Sequence, residues 1–132
     1  VDLDGAVFNG SMHAAAVSFD LHVPESRSLK AKRSAIRPVV DRLRHRFHLS
    51  VAETGHLDQW QRAEVSVAIV AATDGGVREI LGTVERFVAT AAGVELLGVE
   101  VAWLDPDGVL ADPDGVLADQ GGVPAQDGGV VQ

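Results

Sequence analysis

The 132-residue sequence contains no cysteine and no tyrosine, a single methionine, and only 5% aromatic residues. Without cysteine there is no disulfide framework, no thiolate nucleophile, no Cys-ligated zinc and no iron–sulfur cluster, so the core must be held by packing, as suits a reducing cytoplasm. No apolar run approaches the roughly 18 residues needed to span a bilayer, and no basic-then-apolar leader opens the chain, which argues against a membrane protein or a secreted precursor. The only asparagine is Asn9.

Positive charge is scarce overall, with 11 Lys+Arg against 19 Asp+Glu for a formal net charge of -8, but its distribution is uneven. Residues 1–11 carry Asp2 and Asp4 and no base, residues 12–104 are balanced, and residues 105–132 carry six acids and no base. Within the balanced segment, eight bases stand between Arg27 and Arg46 against Asp41 alone. A low overall pI does not prevent so concentrated a stripe from binding a phosphate backbone.

The last 28 residues form a degenerate heptapeptide array: DPDGVLA from Asp105 and again from Asp112, then DQGGVPA and QDGGVVQ. Each unit is a turn signal with too few apolar atoms to build a core, and its Pro and Gly oppose a coiled coil. The expectation is a disordered acidic tail that competes with polyanions for the basic stripe. Calcium is disfavoured, because an EF-hand loop places Gly at position 6 and this spacing places it at 4. Residues 1–11 read as a disordered N-terminal extension with no motif.

Residues 12–104 read as one domain. Alternation of Ala15, Val17, Phe19, Leu21 and Val23 with polar residues marks a strand over 13–23. Ser28 is placed to cap a helix over about 28–47 whose apolar positions are Leu29, Ile36, Val40, Leu43 and Phe47, and Pro38 within it predicts a kink or a break. Short strands over 49–53 and 60–71 form a hairpin. Thr73 or Asp74 caps a second helix carrying Val77, Ile80, Leu81, Val84, Phe87 and Val88, and Gly93 ends it. A last strand covers 94–104. The order βαββαβ, with right-handed crossovers, predicts an α+β ferredoxin-like fold: a four-stranded antiparallel sheet with two helices on one face.

Three segments, SLKAKR (Ser28–Arg33), SVAE (Ser50–Glu53) and DQWQRA (Asp58–Ala63), make residues 12–104 resemble the YlxP family of small bacterial proteins. The resemblance implies a ferredoxin-like fold and no established biochemistry. Genes of that family commonly lie between those for translation initiation factor two and ribosome-binding factor A, which implies a setting in ribosome assembly or translation.

Candidate site residues follow from the first helix. Lys30, Arg33, Arg37 and Arg44 fall within about 60° of one another on a helical wheel, in a row beside the apolar stripe. Lys32 and Arg46 flank its other edge, with their stems laid over it and their heads in water. Like charges at i,i+4 oppose helix formation unless something acidic offsets them. The expectation is a non-enzymatic RNA- or ribosome-associated accessory factor whose phosphate-binding residues are Lys30, Lys32, Arg33, Arg37 and Arg44. The alternative is a protein-interaction or homodimerisation module using the open sheet face, where Ala14, Ala16, Ser18, Asp20, Ser50, Ala52, Arg62, Glu64, Ser66, Ala68, Glu100 and Ala102 are small or polar. No aromatic residue there provides the stacking platform of an RNA recognition motif.

No catalytic, cofactor-binding or metal-binding set is expected. The five histidines show no HxH, HxxxH or HExxH spacing. His56 and Asp58 make at most an acid–base pair without a nucleophile. An acylphosphatase-type site would need an asparagine in the core. The Gly75-Gly76 pair reads as a turn.

Overall fold

The computed structural model describes residues 12–104 and 110–111; the predicted N-terminal extension and most of the predicted acidic tail lie outside the described residues. The elements are β1 (His13–His22), α1 (Leu29–His45), β2 (Ser50–Gly55), β3 (Arg62–Ala71), α2 (Asp74–Ala89), β4 (Glu95–Leu104) and β5 (Leu110–Ala111). The sheet order is β2-β3-β1-β4-β5 and every pairing is antiparallel. The first six elements form the expected ferredoxin-like βαββαβ unit. β5, which the heptapeptide reading did not foresee, adds two residues to the outer edge of β4.

Period-two alternation places the core. Ala15, Val17, Phe19 and Leu21 of β1 and Ala63, Val65, Val67 and Ile69 of β3 are buried beneath the helices. From α2, the buried face is Val77, Val84 and Val88. Phe47, just past α1, meets Phe87 of α2 with ring centroids 5.3 Å apart, joining the two helices within their layer. The even-numbered residues of β1 and β3 line the opposite, open face.

Both helices begin at side-chain caps. Ser28 Oγ accepts from the Ala31 N–H at 2.9 Å, and Thr73 Oγ1 accepts from the Gly76 N–H at 2.9 Å; each satisfies a donor that has no carbonyl within the helix. α1 does not break at Pro38. It runs continuously from Leu29 to His45, because Pro38 is exposed while Ile36, Val39 and Leu43 on both sides of it are anchored in the core.

Beyond α1 the chain reverses through His48 at φ 58°, and the Leu49 N–H returns to the Leu43 carbonyl at 3.1 Å. A register shift between Glu53 and Gly55 marks a bulge in β2. At Gly55 a Cβ would stand 2.8 Å from Glu64 Oε1, so a residue without a side chain permits that close pairing.

Candidate nucleic-acid interface

α1 carries two kinds of basic residue, separated by periodicity. Its buried positions are Lys32, Ile36, Val39 and Leu43, spaced 4, 3 and 4, so Lys32 stands on the core-facing stripe. Arg27, Lys30, Arg33, Arg37, Arg42, Arg44 and Arg46 are all exposed.

The expectation that Lys32 keeps its head in water and contacts phosphate is corrected by its surroundings. Its side chain is 1% exposed. Nζ donates to the His56 carbonyl at 2.7 Å and the Arg62 carbonyl at 3.1 Å, and lies 3.3 Å from Glu53 Oε2. Two of the three ammonium donors are thus taken by backbone carbonyls, and the Glu53 carboxylate offsets the charge as an ion pair without a hydrogen bond. Burying a charge costs several kcal/mol unless it is so satisfied. Lys32 therefore belongs to the scaffold: it ties α1 to the bulged end of β2 and to both ends of the 56–61 loop. The three segments that carry the family resemblance converge here, supplying Lys32, Glu53 and Arg62 respectively.

The exposed bases are differently placed. The ion pairs among the described residues are His22–Glu95, Lys32–Glu53, His56–Asp20, Arg62–Asp20 and Arg78–Asp74. None involves Lys30, Arg33, Arg37 or Arg44. Arg44 Nη2 donates to the Val51 carbonyl at 3.0 Å, which fixes its guanidinium over β2 while leaving its charge unneutralised. Arg46 lies over the Phe47 ring, 5.5 Å from its centroid. Among the described residues, the predicted row of Lys30, Arg33, Arg37 and Arg44 is thus an exposed cationic ridge without carboxylate partners. Beside it, between α1 and β2, a groove of about 340 Å³ is lined by Arg33, Ile36, Arg37, Val40, Asp41, Arg44 and Glu53.

Several charged and polar groups of the open face, by contrast, pair with one another. Arg62 Nη2 lies 2.8 and 2.7 Å from the two Asp20 oxygens, and His56 Nε2 lies 3.5 Å from Asp20 Oδ1. The Thr54 hydroxyl donates to Glu64 Oε1 at 2.7 Å and stands 2.6 Å from Ser66 Oγ, which in turn lies 2.8 Å from Ser18 Oγ. The carboxylate beside His56 is therefore Asp20 on β1 rather than Asp58, and His56 itself sits at φ 56°. Its other nitrogen faces Gln59 Nε2 at 3.3 Å. Among the described residues no group of three or more His, Asp or Glu is arranged to hold a metal, and no helix is long and apolar enough to cross a membrane.

Comparison with known proteins adds two findings. A family model described as a protein of unknown function, DUF503, matches residues 14–101. The uncharacterized protein YlxP of Bacillus subtilis (strain 168) is 27% identical over 79 residues, which cover 60% of this chain and 86% of that protein.

Proposed function

The chain belongs to the DUF503 family, whose description assigns no activity, and from the charge layout of α1 we propose that it is a non-enzymatic RNA- or ribosome-associated accessory factor that grips phosphate backbone. The observation that carries this reading is the ridge of Lys30, Arg33, Arg37 and Arg44, exposed and without ion-pair partners among the described residues. Such a ridge costs helix stability through i,i+4 repulsion of a few tenths of a kcal/mol per pair. A polyanion reverses the sign of that term, and the gain appears as counterion release. Each engaged phosphate contributes about -0.7 to the slope of log affinity against log salt on a single strand, and about -0.9 on a duplex.

The test is fluorescence anisotropy with labelled RNA across a salt series, comparing the native chain with Arg33→Glu/Arg37→Glu. Loss of two cations and gain of two anions should weaken binding at least tenfold and flatten the slope by about 1.4 or more. Equal affinities for the two proteins would remove the reading.

The open face supports a second reading, a homodimer through packed sheets. Ala16, Ala52 and Ala68 are exposed there, and Val70 is 62% exposed; small side chains let a second sheet approach to the roughly 10 Å of face-to-face packing. Val70→Asp should then dissociate a dimer in sedimentation velocity. A native chain that sediments as a monomer at high concentration excludes it.

A further inference from the structure

The groove beside the cationic ridge differs in chemistry from the ridge itself. Its rim is formed by Arg33, Arg37 and Arg44, and its floor by the buried Ile36 and the half-buried Val40. Asp41 is exposed at the rim and Glu53 closes the β2 side. The Glu53 side chain is 24% exposed. Its Oε2 is fully buried and turned to Lys32, so the remaining exposure falls to its other atoms. Three guanidiniums of α1 thus stand beside an apolar floor, with the Asp41 carboxylate at the rim and the Glu53 carboxylate at the β2 wall.

A duplex offers such a feature nothing to insert, because its bases are stacked inward and its outside is sugar and phosphate. An unpaired nucleotide has the matching parts in one unit: an anionic phosphate, a flat apolar base and an edge of hydrogen-bond donors. We infer that this groove holds one unpaired nucleotide, so that the polyanion bound by the ridge is single-stranded RNA rather than duplex. The inference rests on the phosphate-binding reading above and adds the form of the ligand and a base preference.

In this arrangement the phosphates lie on Arg33 and Arg37, about 6 Å apart along the helix axis from its rise per residue. The base lies over Val40 and Ile36 with its polar edge toward Glu53. A guanidinium plane such as that of Arg44, already held by the Val51 carbonyl, can stack on the base. The carboxylate decides which base fits, because it only accepts hydrogen bonds. Cytosine presents an amine at C4 and uracil a carbonyl at the same position, so otherwise similar rings meet attraction in one case and repulsion in the other.

The experiment is competition against a labelled single-stranded oligo(C) bound to the full chain, using unlabelled oligo(C), oligo(U), an RNA duplex of equal phosphate number and poly-glutamate. Oligo(C) is expected to outcompete oligo(U) roughly fivefold or more, the low end of what a base-edge contact supplies, and to outcompete the duplex as well. Glu53→Gln should erase the preference for C over U while keeping the salt slope. Because Glu53 also faces Lys32, Val40→Gln serves as the second variant: it makes the floor polar without touching that pair, and should lower oligo(C) affinity toward that of the duplex.

A duplex that competes as well as oligo(C), or equal competition by oligo(U), overturns the inference while leaving phosphate binding by the ridge intact. Displacement by poly-glutamate as effective as by oligo(C) also overturns it and assigns the groove to an acidic peptide. Failure of every RNA to bind removes the underlying reading together with it.

Discussion

Lys32 shows how one residue can decide a local architecture while looking, by type, like something else. Removing its amine leaves the His56 and Arg62 carbonyls and the Glu53 carboxylate facing a dry gap. Lys32→Met keeps most of the stem's packing, and should destabilise the fold by about 3–5 kcal/mol, the cost of leaving a buried charge unpaired. Urea denaturation monitored by circular dichroism checks this. Adding Glu53→Leu removes the orphaned carboxylate and should recover part of the loss, since an apolar pair of similar volume is often no worse than a buried ion pair. A single variant within 0.5 kcal/mol of the native chain would mean that the ammonium holds nothing together. The role was partly legible in the sequence. Positions 32, 36, 39 and 43 keep helical spacing, but a lysine reads as surface by type, and the acceptors that satisfy it are two backbone carbonyls and a carboxylate 21 to 30 residues away. No one-dimensional pattern reveals such partners. The exposed row of Lys30, Arg33, Arg37 and Arg44 was legible because exposure on a helix follows from angle alone.

At the scale of the element, α1 is controlled from its two ends. Ser28→Ala removes the acceptor for the Ala31 N–H and should cost about 1 kcal/mol. At the other end, His48 is exposed and sits at φ 58°, in the left-handed region that glycine enters freely. His48→Gly should therefore stabilise the protein by about 0.5–1 kcal/mol, because relief of the side-chain penalty outweighs the added freedom of the unfolded chain. Thermal melts of the two single variants and the double should give opposite shifts that add, since the sites lie at opposite ends of the helix. A lower melting temperature for His48→Gly would refute the argument. The caps, the strands and the order of elements could be read beforehand, because they depend on local chemistry and on periods of two and 3.6. Continuity across Pro38 could not, because it depends on Ile36, Val39 and Leu43 docking on a sheet assembled from distant segments. The β2 bulge depends on the fit of Gly55 against Glu64 and was equally hidden.

Over the whole molecule, the balance of charge predicts a competition. Seven exposed bases stand between Arg27 and Arg46, and residues 105–132 carry six aspartates and no base. A covalently tethered charged segment has a high effective concentration near the rest of its chain, on the order of millimolar for short linkers. Opposite charge predicts that the C-terminal segment competes with polyanions for the ridge. Replacing Asp105, Asp107, Asp112, Asp114, Asp119 and Asp127 by asparagine keeps the full chain, including β5, and removes six of the negative charges behind the net -8. RNA affinity at low salt should rise several-fold. The gap between the two proteins should close as salt approaches about 1 M, where the Debye length is about 3 Å and distant charges no longer sense one another. The neutralised chain should also show the steeper salt slope, since phosphates then displace only small ions from the ridge. Anisotropy titrations at several salt concentrations measure both quantities together. Identical curves for the two proteins would mean that the acidic segment does not reach α1, and the ridge would then be open to polyanions at all times.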